Sequence, residues 1–339
     1  MSKDVLPGPP RVQIQTQSGC DGRCVFCPNK AVLESSLEQG RMAPELYHKI
    51  IDELADLAPR RISPYLMNEP LLDARLPDFI RYTVDRVPAA TTLVTSNGTH
   101  LSEELGEALI ASGLKRLKVS LQSLDPEVNK RLMGASCDPE KIVHNILTFK
   151  RLMNKKRTKR PDLRVSMIVT KFNAREIEHA RRFWKKHGIR LVTSALENRG
   201  GNIDAAEALN TQEMTHLCCA CIRPSREMCV LWNGDVVLCC VDWWRTAIVG
   251  NLAEQSVREV WNGPRLQTIR DALARDDHTQ LPEICANCAQ SARPDEHRRG
   301  LKSLLRRWAP RRQPQTEPHS AACGPQCAHS QGASDNDAQ

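Results

Sequence analysis

"SGCDGRCVFCPNK", residues 18–30, sets Cys20, Cys24 and Cys27 in one short loop directly after "VQIQTQ" (12–17), whose alternation of apolar and polar residues predicts a β-strand. The segments beyond the loop make this strand the first of a repeating series. "PELYHKIIDELADL" (44–57) repeats apolar residues at helical spacing through Leu46, Ile50, Ile51, Leu54 and Leu57, with Pro44 suited to a first turn. The strand-like "ISPYLM" (62–67) and the helical "LPDFIRYTVDRV" (76–87) come next. "TTLVTSN" (91–97) leads to "SEELGEALIAS" (102–112), where Ser102 is placed to cap a helix.

The alternation continues through "RLKVSLQ" (116–122), a helix from Asp138 to about Met153, and "LRVSMIVT" (163–170). "AREIEHARRFWKKHG" (174–188) is a helix with Asn173 and Glu176 spaced as a capping box and Gly188 as a stop; "IRLVTSALEN" (189–198) is the last strand. Strands alternating with helices predict an α/β fold with a mostly parallel sheet, a partial (β/α)6 TIM-like barrel. In such folds ligands sit at the carboxyl ends of the strands. The triple-cysteine loop lies at that end of the first one.

The boundaries read from texture are a core at 10–202, a cysteine-rich domain at 203–295, a basic amphipathic helix at 296–312 and a small, polar, disordered tail at 313–339. The chain has 339 residues and a net charge of +8, with much of the excess concentrated in "KRLMNKKRTKRPDLR" and "RRGLKSLLRRWAPRR". Short basic runs of this kind are read as solvated helix faces, so no nucleic-acid partner is expected. No apolar run reaches the roughly 18 residues of a membrane helix and "MSKDVLPGPP" lacks a signal-peptide core, so the expectation is a cytoplasmic protein. In that compartment the fourteen cysteines are sorted as metal ligands, redox groups or small buried hydrophobes, because disulfides do not persist there.

A Cys-x3-Cys-x2-Cys loop cannot complete the four-thiolate shell usual for an iron–sulfur cluster, so one iron would stay open. A zinc site that borrows a fourth ligand is the alternative. The loop resembles that of the radical S-adenosylmethionine (SAM) superfamily, with Phe26 before the third cysteine and Pro28 after it. The resemblance implies a 4Fe–4S cluster on Cys20, Cys24 and Cys27 whose open iron binds SAM. "MNEP" (67–70) stands where the family carries a GGE-like segment; both glycines are missing, but Glu69 is retained as the implied partner of the SAM amino group. "TSNG" (95–98) matches the segment that contacts SAM methionine and ribose, which selects Ser96 and Asn97; "VSLQS" (119–123) adds Ser120 and Gln122, and "ENRGG" (197–201) ends the sixth strand.

Eight of the fourteen cysteines fall between Cys218 and Cys288. "CIRPSREMCVLWNGDVVLCC" spaces Cys221 and Cys239 around a hairpin turn at "NGDVV", and "CANC" supplies Cys285 and Cys288. These four resemble the auxiliary-cluster ligands of a SPASM or twitch domain, implying a second 4Fe–4S cluster; a four-cysteine zinc site is the competing reading. Cys218, Cys219, Cys229 and Cys240 are left over, as are Cys323 and Cys327 in the tail. Cys137 is selected as a candidate hydrogen-atom donor. The reaction implied is reductive cleavage of SAM to a 5′-deoxyadenosyl radical, with hydrogen abstraction from an unactivated C–H bond as the next step. Dehydrogenation or epimerisation of an aminocyclitol or sugar is expected, with maturation of a ribosomal peptide as the alternative. The implied partners are a small-molecule or peptide substrate and a flavodoxin- or ferredoxin-type electron donor. From another class, a non-catalytic zinc or iron–sulfur redox sensor is the competing function.

Overall fold

Along the first strand, β1 (Arg11–Ile14), Val12 and Ile14 are fully buried while Arg11 and Gln13 face the opposite side of the sheet and stay half-buried. In the computed structural model, which describes residues 7–211, 214–216, 221–275 and 277–291, β2 (Arg61–Ser63), β3 (Thr91–Ser96), β4 (Arg116–Ser120), β5 (Asp162–Ile168) and β6 (Arg190–Ser194) succeed β1 in spatial order, every neighbouring pair parallel. On β4 and β5, Leu117, Val119, Val165 and Met167 pack into the apolar core, whereas Lys118, Ser120 and Ser166 face the other way and are half-buried.

Helices pack against the sheet through three apolar clusters: α1 (Asn29–Leu33), α2 (Pro44–Ala55), α3 (Leu76–Arg86), α4 (Glu103–Ala111), α5 (Pro126–Met133), α6 (Pro139–Lys155), α7 (Ile177–Lys186), the short α8 (Ala206–Leu209), α9 (Val257–Trp261), α10 (Pro264–Arg275) and α11 (Glu283–Ala286). In α2, Tyr47, Ile50, Ile51 and Leu54 are fully buried, and the Tyr47 hydroxyl lies 2.7 Å from Thr83 Oγ1 on α3. Each such aliphatic side chain contributes roughly 1.5–3 kcal/mol by leaving water. Ser102 caps α4 as its position predicts, accepting from the Leu105 N–H.

Three local expectations are corrected. Asn173 makes no capping box with Glu176; its amide is buried, accepting from the Thr170 N–H and donating to the Gln122 and Ile168 carbonyls, and so ties together the ends of β4 and β5. The strand expected at 62–67 is only three residues long, because Pro64 cannot donate to a ladder. Between β4 and α6 the chain forms an additional helix, α5. It is opened by Asp125, whose carboxylate accepts from the Glu127 and Val128 N–H groups, and closed by Gly134 at φ +85°.

Past residue 203 the chain adds β7 (Met214–His216), β8 (Glu227–Val230), β9 (Asp235–Val237), β10 (Ile248–Asn251) and β11 (Ala289–Ser291). β8 pairs parallel with β1 in register from Arg11↔Glu227 to Ile14↔Val230, and β9 and β10 extend it antiparallel into one nine-stranded open sheet. The change of texture at 203 is therefore no break in the sheet, and the described residues fall in one compact unit. The 296–312 helix, the 313–339 tail with Cys323 and Cys327, and Cys218 and Cys219 lie outside the described residues.

Candidate active site

The triple-cysteine loop at the carboxyl end of β1 is held by its backbone. Arg23 N and Val25 N donate to Met133 O and Leu132 O at the end of α5, both at 3.0 Å; Asn29 Nδ2 donates to Cys20 O; and Glu69 N donates to Gly19 O at 2.9 Å. A methyl group at Gly22 would stand 3.4 Å from Cys20 Sγ, 3.7 Å from Cys24 Sγ and 3.5 Å from Cys137 Sγ, so these sulfurs surround one point. Burial pushes the Cys20, Cys24 and Cys27 thiols up, and the proximity of Cys27 raises Cys20 and Cys24 further. Such thiols become ligands only when a bound cation replaces their protons. Three thiols on one short loop are a donor set that suits an iron–sulfur cluster.

Beside this loop, Glu69 is 2% exposed. Its Oε2 accepts from Asn97 N at 2.7 Å, its Oε1 accepts from Leu71 N at 3.0 Å, and the Ser96 hydroxyl also bonds it. Burial pushes its carboxyl up to about 7, against the pull of those donors. A cationic partner would relieve that cost. Asn97 Nδ2 donates to Asp21 Oδ1 at 2.7 Å, and Asp21 Oδ2 pairs with His100 Nε2 at 2.9 Å. Asp21, inside the cysteine loop, thus ties it to the end of β3. The turn after Asn97 requires glycine: Gly98 has φ +77°, and a Cβ there would fall 2.5 Å from Val119 Cγ1.

The second cysteine set stands elsewhere. Cys221 precedes β8 and Cys239 comes after the antiparallel β9, so both lie toward the amino end of β8, whereas the first loop is at the carboxyl end of the parallel neighbour β1. Cys221, Cys239, Cys285 and Cys288 line one small cavity, together with Arg223, Leu238 and Ile284. Four thiols around one space are the number a cluster shell takes from the chain alone, one more than the first loop offers.

Family models match both regions: the radical SAM superfamily over residues 14–184 and the SPASM iron–sulfur cluster-binding domain over residues 219–289. The chain belongs to the radical SAM superfamily. Among characterised radical SAM relatives, it is 24% identical over 282 residues to the S-adenosyl-L-methionine-dependent 2-deoxy-scyllo-inosamine dehydrogenase of Niallia circulans, covering 82% of this chain and 91% of that one. It is 30% identical to the GTP 3′,8-cyclase of Aquifex aeolicus, over 56% of this chain and 58% of the other. The fold is shared with BtrN bound to AdoMet and 2-DOIA (TM-score 0.55, 22% identity, 85% of this chain and 94% of that one). It is also shared with Streptococcus suis SuiB bound to the precursor peptide SuiA (TM-score 0.64, 18% identity, 79% and 68%).

A radical SAM enzyme with a SPASM domain carries SAM, a 4Fe–4S cluster in its core and further iron–sulfur in the SPASM region. The remaining residues read from sequence fall in three places. Phe26 is buried in the apolar core with Leu71 and Cys137, beneath the cysteine loop. Ser120 lies on the sheet face opposite Leu117 and Val119, its hydroxyl 3.4 Å from that of Ser166. Gln122 is buried, and its side-chain carbonyl accepts from Ile168 N at 2.7 Å, linking the ends of β4 and β5. Cys137 is fully buried against Gly22 on the loop side. Cys229 is also fully buried, 3.8 Å from Gln13 Nε2, and Cys240 is half-buried in the same apolar group as Cys27 and Trp243. Sequence reasoning missed Asp21, His100 and α5. The one signal for Asp21 was a carboxylate inside a metal-binding loop.

Proposed function

We propose that this enzyme dehydrogenates a hydroxyl-bearing carbon of a polar natural-product intermediate, an aminocyclitol or sugar, in the cytoplasm, with electrons from a flavodoxin- or ferredoxin-type donor. The observation that carries the reading is the cavity bounded by Cys221, Cys239, Cys285 and Cys288. A shell filled by four protein thiolates leaves no iron open for a ligand, which suits electron transfer rather than substrate coordination. The Niallia circulans relative, a dehydrogenase by name, supports the same reaction class.

Cys20, Cys24 and Cys27 are the residues that hold the core cluster. When bound, that cluster and SAM supply the electron and the 5′-deoxyadenosyl radical that draws a hydrogen atom from carbon. The chain's own residues do the rest. Glu69 receives the SAM ammonium, its buried carboxylate oriented by the Leu71 and Asn97 N–H groups. Ser96 and Asn97 fix the turn beside it. Tyr65, Thr95, Lys118, Ser120 and Ser166 are half-buried and offer hydrogen bonds to substrate hydroxyls.

The test is turnover in heavy water by anaerobically reconstituted enzyme, with 2-deoxy-scyllo-inosamine and a panel of related aminocyclitols and sugars. The expected product is two hydrogens poorer, forms one-to-one with 5′-deoxyadenosine, and carries no solvent deuterium at the reacting carbon. A product of unchanged hydrogen count with one deuterium at that carbon would overturn dehydrogenation in favour of epimerisation. Cys137 and Cys240 would then be the thiols to replace.

A further inference from the structure

The "ENRGG" segment after β6 takes no part in the functions assigned so far, yet it docks on the second cysteine set. Arg199, Gly200 and Gly201 all have positive φ, at 54°, 72° and 86°. A non-glycine residue in that region is uncommon and marks a position held by its surroundings. Here the surroundings are the "CANC" segment. Asn198 N donates to Ala289 O, Asn198 Nδ2 donates to Asn287 O, and Asn198 Oδ1 accepts from Ala289 N at 2.8 Å. A Cβ on Gly200 would fall 2.6 Å from Ile284 Cγ1, so only glycine allows this approach.

The docked turn presents Glu197 to two guanidinium groups. Its Oε2 lies 3.5 Å from Arg199 Nη1, and its Oε1 is hydrogen-bonded by Arg223 Nη2. Arg223 lines the cavity of the four thiols; the adjacent Pro224 carbonyl is fixed by Arg270 Nε at 2.9 Å, and Arg270 in turn stacks on Trp261. Arg199 carries its charge near both Cys27 and Cys240, which adjoins Cys239. The pairs are largely shielded, with side-chain exposures of 15% for Glu197, 20% for Arg223 and 30% for Arg199. At that depth charges are screened much less than on the surface.

We propose that Arg223 and Glu197 set the reduction potential of the auxiliary cluster, Arg223 raising it and Glu197 lowering it. The inference rests on the assignment of Cys221, Cys239, Cys285 and Cys288 as that cluster's ligands. Reduction adds a negative charge to the cluster, so a nearby guanidinium stabilises the reduced form and a nearby carboxylate opposes it. Arg223 and Glu197 are positioning residues: neither needs to touch the substrate for the effect to operate.

The test is a redox titration of the reconstituted full-length enzyme monitored by electron paramagnetic resonance, the auxiliary signal being the one that survives joint replacement of Cys20, Cys24 and Cys27 by Ala. Arg223→Gln is expected to lower the reduced-to-oxidised ratio at fixed potential about tenfold, about 59 mV for a one-electron couple. Glu197→Gln is expected to move the midpoint the other way, and Arg223→Lys, which keeps the charge, to stay near wild type. Midpoints that do not move, or that move in the same direction for Arg223→Gln and Glu197→Gln, overturn the inference. An auxiliary signal that persists when Cys285 and Cys288 are replaced by Ala overturns the ligand assignment and this inference with it. Loss of that signal together with unmoved midpoints overturns only the electrostatic role.

Discussion

Replacing Glu69 by Gln separates the charge of the proposed SAM contact from its shape. Gln keeps a carbonyl that accepts from Leu71 N or Asn97 N, so the turn at 96–98 retains most of its hydrogen bonds. The loss is the negative charge. With its carboxyl pushed up to about 7 from 4.5, the ionised side chain is strained by roughly 3 kcal/mol at 1.36 kcal/mol per pKa unit. A bound ammonium offsets that strain. Hydrogen bonds to charged groups contribute about 1.5–3 kcal/mol, so Glu69→Gln should weaken SAM binding roughly ten- to a hundredfold with cluster iron unchanged. The pH dependence has a definite sign. Above about 7 the carboxylate is ionised and ready; below it, SAM must displace a proton from Glu69. Wild-type affinity should therefore fall by up to about tenfold per pH unit between pH 7 and 5.5, and the Gln variant should lose that dependence. Calorimetric titration of SAM into anaerobic enzyme measures both. Equal affinities of the two proteins at pH 7.5, or a flat wild-type profile below pH 7, would refute the assignment of Glu69.

Joint replacement of Cys20, Cys24 and Cys27 by Ala should leave about half the iron and abolish SAM cleavage, because each thiol set suits one 4Fe–4S unit; iron analysis and 5′-deoxyadenosine release check this. Replacing Cys285 and Cys288 should remove the other half, and retained iron would point to zinc or another ligand set. Asp21→Ala frees the Asn97 amide and His100, and at about 1 kcal/mol for a lost hydrogen bond should weaken SAM binding about fivefold at unchanged iron content. Gly98→Ala forces a Cβ to 2.5 Å from Val119 Cγ1 at φ +77° and should cost about 1–3 kcal/mol in denaturant unfolding.

The six parallel strands, and the two cysteine sets and Glu69 as candidates, were legible because their signals are short-range: residue alternation, cysteine spacings of three and two residues, and an acidic residue at a strand end. Alternation along β4 and β5 showed which side chains meet the helices, since a period of two leaves one face for the core. Gln122 shows the limit of that reasoning, since its place at a strand end was readable but its bond to Ile168 N was not. Asp21 meets Asn97 across 76 positions, Arg23 and Val25 hang from α5, and β8 joins β1 across 216 positions. The Arg199–Glu197–Arg223 bridge likewise needs the turn after β6 to dock on the distant "CANC" segment. Local spacing selects which residues can bind metal or SAM. Only the closure of the sheet and its loops, driven by burial of the apolar faces, decides which buried charges then meet.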